Sequence, residues 1–175
     1  MSEVTFTLKN PPDKNDHHRG SLDASVVIIE YGDYQCPFCA ATAPILHQIY
    51  ESYDDICIIF RHFPLVKSHP NAGIAAIAAE AAAKQKKFWE MHQALFAHQS
   101  DLSTENIFNI AQSLELDMRE FLNDLEDENI LEKVRNDFDH ALANGVSETP
   151  TIFVNGVLFE GLPSLERLRE EISQT

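Results

Sequence analysis

The stretch Val26-Val27-Ile28-Ile29-Glu30-Tyr31-Gly32-Asp33-Tyr34-Gln35-Cys36-Pro37-Phe38-Cys39 decides how the rest of the chain is read. Its first four residues are a continuous β-branched run, the pattern of a central strand buried on both faces. Glu30 closes that run. Beyond Cys39, residues Ala41, Ile45 and Ile49 recur at every fourth position, so both cysteines lie in the first turn of a helix. Pro37 suits the first helical position, where its missing N–H costs nothing. Pro44 falls inside the helix and is expected to kink it. Ile56 to Phe60 then reads as a second buried strand. Strand, helix and strand with a crossover of this length form a right-handed βαβ unit with parallel strands.

Before this unit, Val4, Phe6 and Leu8 alternate with polar residues, as in a half-buried edge strand. Asn10 to Asp23 holds two prolines, a glycine and mostly polar residues, and reads as a surface loop. After it, everything from Pro70 to Gly145 has helical periodicity. Ala72 to Ala83 suits a closely packed helix, and Phe88, Met91, Leu95 and Phe96 mark one face of the next. Ile107, Ile110, Ala111 and Leu114 follow a cap at Ser103 or Thr104. Asp117 with Glu120 has the form of a capping box. Leu131, Val134, Phe138 and Leu142 are expected to line the last of these helices, with Gly145 as its C′ residue. Asn155-Gly156 between two apolar runs signals a tight hairpin, and Ser164 to Ile172 a final helix. The order is β, βαβ, helices, ββα. It predicts a single α/β domain over residues 1–175 with a helical insertion at roughly 68–146.

Composition narrows the function. Thirteen basic against 28 acidic residues leave a net charge of −15. Nucleic acid and anionic membranes are poor partners for such a surface, and no apolar run approaches a spanning helix. Met1 to Pro12 has neither a basic start nor an apolar core, so a cytoplasmic location without a signal peptide is expected. Three cysteines are too few for a disulfide scaffold. Two of them form a Cys-x-x-Cys pair, which marks redox or metal chemistry.

Several stretches in order resemble the DsbA-like thiol–disulfide oxidoreductases of the thioredoxin-fold superfamily. They are Glu30 to Cys39, Arg61-His62-Phe63-Pro64-Leu65, Phe88-Trp89, and Thr149-Pro150-Thr151-Ile152-Phe153-Val154-Asn155-Gly156, with Pro44 matching the helix-kinking proline of the fold. The resemblance implies a thioredoxin-like fold with helices inserted between its βαβ and ββα halves. It implies Cys36 as nucleophile, Cys39 as resolving thiol, Pro150 as a cis-proline facing them, and Glu30 as the buried acid below the pair. Pro37, Phe38 and Thr149 would then contact substrate. The redox agent would be the Cys36–Cys39 disulfide, without a cofactor or metal. The partners would be protein or small-molecule disulfides and dithiols, together with a redox recycling partner.

The residues give this chemistry a physical basis. Exchange needs a thiolate and a second thiol to resolve the mixed disulfide. A cysteine at a helix N-terminus faces unpaired N–H groups that favour the thiolate, and exposure would add to its reactivity. Two alternatives compete. One is a zinc-binding or structural module using Cys36, Cys39, Cys57 and His62, although Cys57 in a strand reads more simply as a small buried hydrophobe. The other is a glutathione-dependent transferase or isomerase on a related scaffold, against which the second cysteine argues. His17-His18 lacks a third ligand in sequence and reads as solvated, and Phe88 and Trp89 read as core. Residues 101–140, with twelve acidic and three basic side chains, read as a solvated face.

Pro37 and Phe38 carry no positive charge towards the thiolate. The disulfide is therefore expected to have a reduction potential on the order of −150 to −250 mV, between those of thioredoxin and DsbA. Phe38→His should make it markedly more oxidising. A glutathione redox titration followed by mass shift checks both; a wild-type potential near about −120 mV that Phe38→His leaves unchanged would contradict the expectation.

Overall fold

The computed structural model describes residues 7–175. Its elements are β1 (His17–Arg19), β2 (Val26–Gly32), α1 (Pro37–Ser52), β3 (Ile56–His62), α2 (Ala72–Lys84), α3 (Phe88–Ala97), α4 (Thr104–Ser113), α5 (Met118–Asp124), α6 (Glu128–Ala143), β4 (Thr151–Val154), β5 (Val157–Phe159) and α7 (Leu165–Ser173). The sheet order is β1-β3-β2-β4-β5. β2 and β3 are parallel, with Ile28 opposite Ile58 and Glu30 opposite Phe60. β4 and β5 run antiparallel beyond β2. This is the α/β thioredoxin-like fold, with helices α2 to α6 inserted between β3 and β4.

Every residue of β2 and β3 is buried, as required of strands covered on both faces. Alternation along the strands divides the core. Val26, Ile28, Ile56, Ile58, Ile152 and Val154 pack under α1 and α7. Val27, Ile29, Tyr31, Cys57, Ile59 and Phe153 pack on the other face, with Ala141 and Phe138 of α6. A third cluster joins Phe60 and Tyr34 to the insertion helices and includes Cys36 and Cys39. The cysteines therefore lie where the insertion meets the sheet. In α2, Ala75, Ala78, Ala79, Ala81 and Ala82 are fully buried; their small side chains let this helix pack closely among its neighbours.

Turn chemistry accounts for the chain reversals. Asn155 and Gly156 both take positive φ, 48° and 79°, as the primed hairpin turns require. The Asn155 side chain also accepts from the Val27 N–H at 2.8 Å and donates to Ser25 C=O at 3.1 Å, clamping the start of β2. After α6, the Val146 N–H returns to Ala141 C=O and that of Gly145 to Leu142 C=O, closing a Schellman motif. Ser103 caps α4 and Ser164 caps α7. Asp117 caps α5 through the N–H groups of Arg119 and Glu120, but the reciprocal half of a capping box is absent, since the Asp117 N–H donates to Gln85 instead.

Three expectations need correction. Residues 10–23 are not all loop: His17–Arg19 form β1, pairing antiparallel with β3. Prolines and polar residues hide a short strand whose side chains serve polar contacts rather than an apolar face. Second, α6 buries Ile130, Val134, Asp137 and Ala141, while Leu142 is 55 % exposed. The helix is rotated because Asp137, a polar residue, occupies its inner face. Its carboxylate accepts from the His62 N–H at 3.0 Å and from Lys133 at 2.6 Å, so the acidic stretch is not wholly solvated. Third, Leu8 is buried but lies in a bend rather than a strand; the Val4 and Phe6 part of that expected strand falls outside the described residues.

Gly20 follows β1 with φ at 87°, and a Cβ there would stand 2.0 Å from the Ile56 carbonyl oxygen. Backbone cannot yield as a side-chain tip can. Gly20→Ala should cost about 2–5 kcal/mol, from positive-φ strain and overpacking together, and should detach β1 first. Denaturant melts with hydrogen exchange at β1 measure both effects; an unchanged midpoint would refute the close approach.

Candidate active site

Cys36 is the N-cap residue of α1, with Pro37 at the start of the helix and no side-chain cap. Its turn is held from both sides. The Cys36 N–H donates to Asp33 C=O at 3.1 Å. The Gln99 amide donates to Tyr34 C=O and Cys36 C=O, each at 2.8 Å. The Asp33 carboxylate is buried and accepts from the N–H groups of Gln35 and Leu65 at 2.7 and 2.9 Å, with His69 Nδ1 at 2.8 Å. Asp33 therefore builds the turn rather than bearing on the thiol as a free charge.

The two sulfurs are pushed in opposite directions. A hydrogen bond from Cys39 is the largest influence on Cys36. Burial works against it, and the Thr149 side chain and the backbone of Cys39 and Phe38 add to it; together they bring the Cys36 thiol down to about 5. Cys39 is fully buried, and burial, its bond to Cys36 and the nearby Glu30 carboxyl push its thiol far up. One expectation is corrected here: Cys36 is only 3 % exposed, so its reactivity rests on thiolate stabilisation and not on exposure. Both cysteines are unbridged.

Around the pair, Phe38 is 56 % exposed and Pro37 is also exposed. Thr149 is buried, and its carbonyl lies 3.4 Å from Cys36 Sγ. The Thr149–Pro150 peptide is cis. The structure thus brings Cys36, Cys39 and Thr149 together, with Pro150 adjoining. Phe88 is core, whereas Trp89 is only partly buried and carries the Arg19 guanidinium 4.6 Å above its ring.

Glu30 stands inside β2 rather than at its end, and is 2 % exposed. Its Oε1 has no hydrogen-bond partner. Burial raises its carboxyl to about 8, with the Cys36 charge adding to the shift. Glu30 is among the residues lining a cleft of about 330 Å³ between α1 and α3, together with Pro44, His47, Trp89, His92 and Phe96. The cleft reaches neither cysteine. His92 accepts or donates at Tyr34 Oη over 3.0 Å, and burial drives its imidazole down to about 3, so it is neutral.

A zinc site that uses Cys57 together with His62 fails on strand geometry. Cys57 and His62 are an odd number of residues apart on β3 and so face opposite sides of the sheet. Burial raises the Cys57 thiol to about 11, which leaves it inert. The expectation that His17 is solvated is also overturned: it lies 2.7 Å from the Glu80 carboxylate, which His62 approaches at 2.8 Å. Sequence reasoning missed Arg61 as well, whose guanidinium forms a buried fork to Asp16 at 2.8 and 2.9 Å and reaches Tyr31 Oη. A signal existed: a charged residue inside an apolar strand must find a partner.

The sequence matches the Thioredoxin_4 family, described as thioredoxin, over residues 12–174. Among curated relatives, it is 38% identical over 174 residues to the Na(+)/H(+) antiporter NhaA 1 of Salinispora arenicola, covering 99% of this chain and 27% of that protein. It is 41% identical over 162 residues to NhaA 1 of Mycobacterium sp. strain KMS, covering 90% and 26%. The chain thus spans about a quarter of the length of these relatives. Among solved structures, it is similar to the thiol-disulfide exchange protein alpha-DsbA2 of Wolbachia pipientis, with TM-score 0.83, 25% identity and coverage of 93% and 88%. It is similar to Pseudomonas aeruginosa DsbA2, with TM-score 0.75, 26% identity and coverage of 95% and 96%. Bacillus subtilis BdbD shares the fold, with TM-score 0.83, 24% identity and coverage of 97% and 98%.

The Glu30 carboxyl makes a pH signature. Its folded value near 8 stands above the ordinary 4.5, so between those pH values the native state holds a proton that the unfolded chain has released. Stability therefore falls as pH rises through that window, by up to about 5 kcal/mol at about 1.36 kcal/mol per unit. Glu30→Gln should remove this slope, so the variant gains on the wild type from about pH 5 to pH 8. Melting both reduced proteins across that range tests it; parallel curves would show that Glu30 is not held protonated. With the thiol pair at the head of α1 and the family match running over residues 12–174, the chain belongs to the Thioredoxin_4 family, described as thioredoxin, and is DsbA-like in structure.

Proposed function

We propose that the protein exchanges disulfides with protein thiols through Cys36 and Cys39. The observation that carries this reading is the placement of the two sulfurs: Cys36 is the N-cap of α1 with the Thr149 carbonyl 3.4 Å from its Sγ, and Cys39 is fully buried behind it, which pulls the first thiol down and pushes the second up. The Cys36 thiolate attacks a substrate disulfide. A Cys36–substrate bond forms, and the first substrate sulfur leaves as a thiolate. Cys39 then gives up its proton and attacks Cys36, the second substrate thiolate leaves, and the Cys36–Cys39 disulfide remains. The reverse order donates a disulfide.

Glu30 is the proton acceptor for Cys39 in this reading. While Cys36 is a thiolate, its charge helps keep Glu30 protonated. Formation of the mixed disulfide removes that charge, so the carboxyl ionises more readily when Cys39 must be deprotonated. The Thr149 backbone beside Cys36, together with exposed Pro37 and Phe38, supplies the surface for an extended substrate segment. The antiporter activity in the relatives' names is not carried over, because the chain spans only about a quarter of their length.

In the reduced protein, iodoacetamide should label Cys36 first, with a rate that rises through an apparent pKa of about 5. Cys39→Ser should accumulate a mixed disulfide at Cys36, and Cys36→Ser should lose turnover of a disulfide-bonded protein by about a thousandfold or more. Preferential labelling of Cys57 would overturn the assignment. If Cys39→Ser kept full turnover while conjugating glutathione, the transferase alternative would hold instead.

A further inference from the structure

His17 on β1, His62 on β3 and Glu80 on α2 meet inside the protein, hydrogen-bonded to one another and to neither active-site cysteine. Nε2 of His17 lies 2.7 Å from Glu80 Oε1, and Nε2 of His62 lies 2.8 Å from the same oxygen. One donor atom from each residue falls within 4.8 Å of the others, and this is the one such group of three among the described residues. The rings are braced. His17 stacks on Phe88 with centroids 3.7 Å apart, and His62 packs edge-on to Phe60 at 5.4 Å. The side chains of His62 and Glu80 are 1% and 8% exposed, and that of His17 is 17% exposed.

We propose that His17, His62 and Glu80 bind a divalent transition-metal ion of the zinc class. Two imidazoles and one carboxylate are a donor set that zinc accepts, with a fourth position left for an outside ligand. Around an ion with bonds of about 2.1 Å, donors stand roughly 3.4 Å apart. The two nitrogen–oxygen separations of 2.7 and 2.8 Å would each lengthen by roughly 0.6–0.7 Å to reach that spacing, which side-chain rotation supplies. Each ring would carry its proton on Nδ1 and offer the Nε2 lone pair. Glu80 has no lysine or arginine partner among the described residues, and the neighbouring Arg61 is committed to Asp16. The cluster therefore holds a buried carboxylate without a fixed cation, whose charge a dication would offset. The ion reaches the site past His17, the most exposed member. Bound there, it would cross-link the sheet edge to the insertion without touching either active-site sulfur. This inference is independent of the proposed redox function.

The test uses the whole protein in its oxidised form, in which Cys36 and Cys39 cannot ligate. Cobalt(II) titration should give one equivalent of tetrahedral visible absorption with no thiolate charge-transfer band, and zinc should displace it. Zinc should also raise the melting temperature in a concentration-dependent way. Glu80→Gln and His17→Ala should each weaken binding by about a hundredfold or more while leaving thiol–disulfide turnover intact. His17→Ala, at the rim, keeps the test decisive if Glu80→Gln fails to fold. Absence of cobalt absorption in excess metal, a thiolate band, or affinity unchanged in His17→Ala would each overturn the site and leave the three residues as an ion-paired clip. None of these outcomes bears on the thiol chemistry.

Discussion

The Asp33 carboxylate holds the turn on which the site depends. It is 1% exposed and takes hydrogen bonds from the turn itself at Gln35, from the chain after β3 at Leu65, and from His69 at the approach to α2. Its own N–H points at Cys39 Sγ from 3.5 Å. A buried carboxylate missing one of these donors would be costly, because the remaining lone pairs have no water to fall back on. The turn, the strand end and the insertion are thereby tied to one group. Cys36 and Cys39 inherit their positions from it, and the Gln99 amide locks the same turn from the side of the insertion.

Buried charge is handled in two ways elsewhere. Asp16 and Glu80 are paired, the first with Arg61 and the second with two imidazoles, and both carboxyls are held below their ordinary values. Glu30 has no such partner and is raised. A buried carboxyl is thus a structural anion in two places and, in the proposed function, a proton acceptor in the third. The difference is made by what faces it across the core. The paired groups fasten β1 to β3 and α2, so the sheet edge is secured by polar contacts that an apolar pattern does not reveal.

The insertion contributes more than bulk. Its core cluster includes Cys36, Cys39, Tyr34 and Phe60, so the helices α2 to α5 supply the low-dielectric wall that raises Cys39. The N-terminal end of α1 and the backbone of Phe38 and Cys39 act from the other side to lower Cys36. Proximity of the two sulfurs then turns a desolvated thiol into a hydrogen-bond donor for its neighbour.

What the sequence determined by itself was whatever is written in local spacing. The β-branched run at Val26 to Ile29, the helix period behind Cys39, the Asn155-Gly156 turn and Gly145 each state a conformation through sterics within a few residues. Order along the chain did the rest for topology, since a βαβ crossover has one hand. The Cys36-Pro37-Phe38-Cys39 pair was legible for the same reason. Tertiary structure alone decided the burial of Cys36 and the lone carboxyl of Glu30. It also decided the rotation of α6 about Asp137 and the meeting of His17, His62 and Glu80. These depend on groups far apart in the chain sharing one unhydrated space, and the energy of a charge or polar group is set there by partners that no local pattern names.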